Sequence, residues 1–196
     1  MAEISVEQIK KLKELSGVGL TDAKKALVEA DGDFDKALEA MRKKGLTKAE
    51  KRGDRETREG IIDAYIHDGR LGAIVEVNCE TSFVAKTDEF KTLAHQIAMQ
   101  VASMNPLYVS EDDIPEEVRA EKMKELEANF KGPENMKEKI LEGQAKKAFA
   151  DKVLMNQPYI LDDSKTVEQF IKEAIAKTGE NITVRQFKRI ELGVTE

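Results

Sequence analysis

An alternation of apolar and polar residues predicts a β-hairpin in the middle of the chain. Residues 61–67 and 71–79 each follow the period of two that characterises a half-buried strand. Asp68 and Gly69 lie between these segments, and this dipeptide is typical of a tight hairpin turn. A further strand is predicted over residues 183–192. The pattern therefore predicts a three-stranded antiparallel sheet.

Apolar residues at spacings of three and four predict three short helices within residues 1–45. Ser5 and Gln8 are spaced as a capping box, and Thr21 is predicted to cap the second helix. Gly17-Val18-Gly19 separates the first two helices, and Gly45 is predicted to end the third as its C-cap glycine. The predicted apolar faces comprise Val6, Ile9, Leu12 and Leu15, then Ala23, Ala26, Leu27 and Ala30, then Phe34, Ala37, Leu38 and Met41. So small a core is typical of a binding module rather than an enzyme.

The rest of the chain adds helices to the sheet. Apolar residues from Phe90 to Met104 predict one amphipathic helix, and others are predicted over residues 116–130, 135–150 and 167–177. The sequence therefore predicts an α+β protein with a three-helix module (1–45), a charged linker (46–59) and an α+β core domain (60–196), in which the three-stranded antiparallel sheet packs on helices. For the charged stretch, a solvated helical face fits the pattern equally well.

Composition and charge exclude several classes of protein. The 196 residues are 40% hydrophobic and 36% charged, with a formal net charge of −6 and no strongly basic half. General affinity for nucleic acid is therefore not expected. The single cysteine cannot form an internal disulfide, which favours a reducing, cytoplasmic setting. No apolar run approaches the roughly 20 residues of a membrane span, so no membrane partner is expected.

Reactive side chains do not form a recognised catalytic or metal-binding pattern. Cys79 closes an apolar strand face and is predicted to be a buried, inert thiol. His67 and His95 are too few and too far apart in sequence for a metal site with known spacing. The chain also lacks a phosphate-binding glycine motif. We therefore expect no cofactor, no metal, no catalytic residues and no enzymatic activity.

Residues 75–86 combine two kinds of environment. The stretch Val-Glu-Val-Asn-Cys-Glu-Thr-Ser-Phe-Val-Ala-Lys begins as a strand and then presents Phe83 in a short connection. A helix is predicted to begin near Thr87-Asp88-Glu89. Phe83 has two interpretations: an ordinary core aromatic packed beneath its own helix, or an apolar tip that inserts into a partner.

This stretch closely resembles the signature of the bacterial elongation factor Ts family, nucleotide-exchange factors for the GTPase elongation factor Tu. The resemblance implies that Thr81, Ser82, Phe83 and Val84 form the loop that disturbs the magnesium ion bound to the GTPase, so that GDP leaves. The family usually has Thr-Asp-Phe-Val here, so Ser82 replaces the expected acid. Any contact that needs an anion at Ser82 is therefore in question.

Two more segments carry the same resemblance. Residues 12–27 are similar to the family's N-terminal module, which has a fold like the ubiquitin-associated domain and grips the nucleotide domain of the GTPase. The partner-binding residues implied there are Lys10, Lys13, Gly17, Gly19, Leu20 and Thr21. From charge alone, the two lysines fit a solvated face equally well. The third segment includes Gly179-Glu180-Asn181-Ile182.

The resemblance implies guanine-nucleotide exchange on elongation factor Tu during translation. Two other classes stay open: a non-exchange interaction module or scaffold, and an enzyme. Longer members of the family carry two copies of the core subdomain, whereas this chain has room for one. A single small sheet leaves edges and an apolar face uncovered, which predicts a homodimer of cores.

Overall fold

The computed structural model describes residues 4–16, 19–130, 132–133 and 136–194. Within them, the helices are α1 (Val6–Ser16), α2 (Leu20–Glu29), α3 (Phe34–Glu50), α4 (Ser82–Ala85), α5 (Asp88–Met104), α6 (Glu116–Ala128), α7 (Lys137–Ala150) and α8 (Val167–Thr178). The strands are β1 (Glu59–His67), β2 (Leu71–Cys79), β3 (Pro158–Tyr159), β4 (Asp162–Thr166) and β5 (Ile182–Glu191). Among these helices, none combines the length and apolar character needed to cross a membrane.

The fold class is α+β, as predicted. Three helices open the chain, and a three-stranded antiparallel sheet in the order β1-β2-β5 packs on helices. Strands β3 and β4 form a separate antiparallel pair that the sequence pattern did not predict. By compactness the chain divides into two units. Unit 1 comprises Met1–Asp63, Glu76–His95 and Glu168–Arg185, and unit 2 comprises Ala64–Val75, Gln96–Val167 and Gln186–Glu196.

The first three helices of unit 1 pack against one another around a small core. The predicted capping box forms at the start of α1, because the Gln8 backbone donates to Ser5 Oγ at 3.1 Å and the Ser5 backbone donates to Gln8 Oε1 at 2.9 Å. The buried residues are Ile9, Leu12, Ala23, Ala26, Leu27, Ala37 and Met41. Three of these seven are alanines, so the helices approach closely and little apolar area is buried.

Two sequence predictions for this module are wrong. Gly19, not Thr21, is the N-cap of α2. Helix α3 does not end at Gly45 but continues to Glu50. The reason is packing: a Cβ on Gly45 would lie 3.2 Å from the Cβ of Ala176 on α8, so this glycine permits close helix contact rather than a left-handed cap. Arg52 Nη1 also donates to the Ile175 carbonyl of α8 at 3.4 Å.

The start of β1 lies very close to β2. A Cβ on Gly60 would lie 2.2 Å from the Val77 carbonyl oxygen and 2.7 Å from the Asn78 Cα. Asn78 Nδ2 also donates to the Glu59 carbonyl at 3.3 Å. Only glycine therefore fits at position 60 without displacing the neighbouring strand.

A buried amide network holds the β3–β4 region of unit 2. Gln100 and Gln157 are 0% and 1% exposed. Gln100 Nε2 donates to Gln157 Oε1 and to the Pro158 carbonyl, both at 3.1 Å, and Gln100 Oε1 accepts from the Ile160 backbone at 2.8 Å. Gln157 Nε2 donates to two further carbonyls, those of Met104 (3.2 Å) and Asp151 (2.7 Å). The two amides thus join α5, the end of α7 and the β3–β4 pair.

Candidate functional site

A single helical turn with an aromatic tip connects β2 to α5. Thr81 caps this turn, α4, and its Oγ1 accepts from the Val84 backbone at 3.4 Å. Val84 and Ala85 are buried, whereas Phe83 is 80% exposed. Successive positions on a helical turn face different directions, so burial of the two small residues points the phenyl ring to solvent.

The exposure of Phe83 decides between its two interpretations. A core aromatic packed beneath its own helix is wrong, because four-fifths of the residue is in contact with solvent. An isolated exposed apolar residue needs no special explanation, but a tight turn is an unusual place for an exposed phenylalanine. Ser82 is also exposed, at the first position of α4. The partner-binding role of residues 81–84 stays a prediction.

Below the turn, the backbone is fixed by the thiol of Cys79. Its Sγ donates to the Thr81 carbonyl at 3.2 Å. Cys79 is 0% exposed, and burial, followed by the nearby charge of Glu180, raises the pKa of the thiol to about 11. A thiol with this pKa is protonated at neutral pH and is not a nucleophile. The predicted burial of Cys79 is confirmed, and its raised pKa supports the prediction that the thiol is inert.

Glu180, in the turn after α8, is hydrogen bonded to the cap of α4. Its Oε1 accepts from Thr81 Oγ1 at 2.6 Å, and its Oε2 accepts from the Thr81 backbone at 3.0 Å. The adjacent residues are joined by a hydrogen bond in the opposite direction: the Asn181 backbone N–H donates to Glu80 Oε1 at 2.6 Å. Residues 80 and 81 thus exchange hydrogen bonds with residues 180 and 181. We call these four residues the turn clamp.

The turn clamp is linked to the chain that follows α3. Arg55 Nη1 lies 3.4 Å from both carboxylate oxygens of Glu80. The buried side chain of Asn181 donates to the carbonyls of Gly53 (3.1 Å) and Arg55 (2.8 Å). The Asn181 side chain therefore binds two carbonyls of the charged stretch, and these hydrogen bonds hold the backbone there in place.

Residues predicted to bind a partner through the N-terminal module lie on two helices of unit 1. Lys10 and Lys13 are exposed on α1, and Gly19, Leu20 and Thr21 are exposed at the start of α2. Gly17 lies outside the described residues. Sequence reasoning placed Val6 and Leu15 on the buried face of α1, but they are 68% and 48% exposed. Leu20 is 54% exposed, so apolar side chains flank both ends of the α1–α2 connection.

Comparison with known proteins covers nearly the whole chain. A sequence model described as elongation factor Ts matches residues 4–194. The elongation factor Ts of Thermotoga maritima is 56% identical over 194 residues, which is 97% of each chain. That of Moorella thermoacetica is 48% identical over 97% of this chain and 96% of its own. That of Rippkaea orientalis is 50% identical over 98% of this chain and 80% of its own.

The chain belongs to the elongation factor Ts family. The resemblance found in the signature and the N-terminal module is therefore confirmed, and the protein has a role in translation elongation. Its length matches that of the Thermotoga maritima relative, whereas the Rippkaea orientalis relative is longer.

Within the described residues, neither histidine lies in a cluster of metal ligands. His95 Nδ1 lies 3.3 Å from Asp63 Oδ2, and His67 Nδ1 lies 2.8 Å from the Tyr65 hydroxyl. In the part of the chain that the structure describes, no group of three or more His, Cys, Asp or Glu side chains is arranged to hold a metal ion.

Unit 2 has a surface of exposed branched apolar residues. Ile66 on β1, Ile74 on β2 and Ile190 on β5 are 70%, 46% and 75% exposed, and Leu192 follows at 62%. Together with neighbouring residues that include Arg70 and Lys188, they line one groove on the sheet. We call this group the apolar sheet face.

Sequence reasoning did not identify the turn clamp as part of the site. The Thr81–Glu180 hydrogen bonds join residues 99 positions apart, and no local periodicity reports such a pairing. One signal was present, because Gly179-Glu180-Asn181 was among the segments that carried the family resemblance. This segment is connected to the Phe83 turn by its hydrogen bonds to residues 80 and 81, which the sequence pattern does not report.

Proposed function

We propose that this chain is a guanine-nucleotide exchange factor that binds elongation factor Tu and promotes release of GDP. The observation that carries the proposal is the position of Phe83, which is 80% exposed at the tip of a turn whose cap residue donates two hydrogen bonds to one carboxylate. A rigid exposed aromatic binds a pocket with little loss of conformational entropy.

The proposed mechanism is binding without covalent chemistry. Phe83, together with Thr81, Ser82 and Val84, inserts beside the magnesium ion of the GTPase and displaces it. The ion neutralises the diphosphate, so its displacement weakens the hold on GDP. The exposed residues Lys10, Lys13, Gly19, Leu20 and Thr21, with Gly17, bind the nucleotide domain. Linkage requires reciprocity: this chain weakens GDP binding by the same factor by which GDP weakens binding of this chain.

The direct test follows release of a fluorescent GDP analogue from elongation factor Tu after addition of the wild-type chain or of Phe83→Ala. Truncation of an aromatic anchor costs ~2 kcal/mol or more, so we expect at least about a thirtyfold loss of exchange. Leu161→Ala is the matched control, since Leu161 is a 55% exposed apolar residue in unit 2. We expect this control to exchange nucleotide like wild type.

The alternatives make different predictions in the same assay. Binding to the GTPase without GDP release by wild type would favour a non-exchange interaction module. Turnover of a substrate with no GTPase present would favour an enzyme. Equal exchange by Phe83→Ala and wild type would refute insertion of the ring.

We also propose that two copies of the chain associate through the apolar sheet face. Ile66, Ile190 and Leu192 are each more than 60% exposed, and together with Ile74 they line one groove on the sheet. Two-fold pairing of identical faces covers such residues at once. Light scattering at micromolar concentration should give a mass of twice the 21.9 kDa of one chain. The Ile190→Lys variant should have the mass of a single chain. A wild-type monomer would refute this assembly.

A further inference from the structure

We propose that Glu180 and Asn181 are positioning residues that hold the α4 turn, and therefore Phe83, in the orientation in which it meets the GTPase. This inference rests on the proposed function for its purpose, but its structural part can be tested without the GTPase. It assigns a role to the Gly179-Glu180-Asn181 segment, which neither the N-terminal module nor the Phe83 turn itself explains.

The α4 turn needs support from outside itself. It contains four residues, Ser82–Ala85, and a helix of one turn is unstable in water because its nucleation cost is not repaid by further hydrogen bonds. Val84 and Ala85 are buried and hold one side. The other side carries the exposed Phe83, so burial alone leaves the tilt of the ring weakly determined.

The turn clamp supplies hydrogen bonds at two adjacent points. Glu180 accepts two hydrogen bonds from Thr81, and Glu80 accepts one from the Asn181 backbone at 2.6 Å. A single bond would allow rotation about its axis, whereas bonds at two neighbouring residues in opposite directions do not. Hydrogen bonds to a carboxylate are stronger than those between neutral groups.

The end of α8 is built to present these residues to the turn. Gly179 has φ +78, a left-handed conformation that ends the helix, and its N–H donates to the Ile175 carbonyl at 3.0 Å. Thr178 Oγ1 accepts from the Glu180 backbone at 3.3 Å. The buried side chain of Asn181 is fixed by the carbonyls of Gly53 and Arg55. The clamp is therefore itself held from two sides.

The composition of the chain offers a direct probe of the turn. The sequence contains no tryptophan, so Phe83→Trp introduces a single indole at the tip. Time-resolved fluorescence anisotropy of this variant reports nanosecond motion of the turn in the free protein. We expect adding Glu180→Ala to raise the amplitude of fast depolarisation clearly. Glu180→Gln keeps one carbonyl acceptor for Thr81, so we expect an intermediate amplitude.

The matched control is Glu168→Ala in the same Phe83→Trp background. Glu168 is an acid on α8 in the same unit, and it pairs with Lys172 at 2.9 Å rather than with the turn. We expect its anisotropy decay to match that of Phe83→Trp alone. An equal increase in this control would mean that loss of any nearby acid loosens the protein, which would overturn the assignment to Glu180.

The second arm measures exchange with elongation factor Tu. Glu180→Ala should lower the exchange rate about tenfold with a melting temperature within a few degrees of wild type, and Glu180→Gln should restore part of the rate. In a Phe83→Ala background, the same change should have almost no further effect, because a positioning residue acts through the group that it positions. Additive losses would overturn the proposal, since they would mean that Glu180 contacts the GTPase itself.

The two arms separate the inference from the proposed function. If wild type releases no GDP, the proposed function fails, and the anisotropy arm still decides whether Glu180 orders the turn. If exchange occurs but anisotropy is the same with and without Glu180→Ala, the proposed function survives and the positioning role is overturned.

Discussion

Two polar networks, one in each unit, join distant segments by different means. In unit 2, Gln100 and Gln157 are neutral and almost completely buried. In unit 1, the turn clamp uses the carboxylates of Glu80 and Glu180, which are half-buried, and holds the exposed Thr81. Water can replace a lost hydrogen bond only at the second network. The first network therefore contributes mainly to stability, and the second mainly to orientation.

The largest effect on stability is expected from Gln157→Ala. This change removes the partner of Gln100 Nε2 and the donor to the Met104 and Asp151 carbonyls. Leaving such groups unsatisfied in the interior should cost about 3 kcal/mol in the free energy of unfolding, measured in urea. The control Gln144→Ala changes an exposed glutamine of α7 and should stay within about 0.5 kcal/mol of wild type. A loss below 1 kcal/mol for Gln157→Ala would show that water fills its place.

The thiol beneath the turn clamp should make stability fall in alkaline solution. The pKa of Cys79 is raised from 9.0 to about 11, chiefly by burial. Below pH 9 the thiol is protonated in both the folded and the unfolded state, so its ionisation does not change the free energy of unfolding. Between pH 9 and about 11 the unfolded thiol loses its proton while the folded one keeps it, so stability falls as pH rises. Urea midpoints from pH 8 to 11 should therefore fall more steeply for wild type than for Cys79→Ala, and equal slopes would contradict this.

A much smaller effect on stability is expected from Glu180→Ala. Thr81 is exposed, so water can replace the carboxylate at its backbone N–H and hydroxyl. The free energy of unfolding should change by about 1 kcal/mol or less. A loss comparable to that of Gln157→Ala would remove the distinction between the two networks.

The smallest effect is expected from Ser82→Asp, which restores the acid usual in the family. Ser82 is exposed at the first position of α4, where a carboxylate is tolerated near helix N–H groups. Exchange with elongation factor Tu should be retained or rise by up to about fivefold, equivalent to about 1 kcal/mol. A clear loss would mean that this turn meets the GTPase differently from turns that carry the acid.

Local patterns predicted the elements that their own residues determine. Strand β2 was predicted with its observed bounds, Leu71–Cys79, because alternation is strong there. Thr87 was predicted as a cap of α5, and its Oγ1 accepts from the Phe90 backbone at 3.2 Å. The predictions failed where a distant segment decides the outcome. The local pattern at Gly45 predicts a helix C-cap, but its close contact with Ala176 of α8 accounts for the glycine instead.

The candidate site shows the same limit. The sequence supplied Phe83 and its neighbours, but their periodicity favoured a buried ring, and only the family resemblance suggested exposure. Burial of Val84 and Ala85 turns the ring to solvent, and we propose that the turn clamp sets its tilt. Glu180 could not be assigned to the site, since its partner lies 99 residues earlier in the chain.

The contact at Gly60 has a consequence for how the hairpin assembles. A Cβ at this position would lie 2.2 Å from the Val77 carbonyl oxygen, and the backbone φ of +154° is one that residues with side chains rarely adopt. A register that placed Glu59 or Ile61 in this contact with the same backbone geometry would be disfavoured, so the glycine favours the observed pairing of β1 with β2. The missing side chain at position 60 therefore contributes to the choice of strand register.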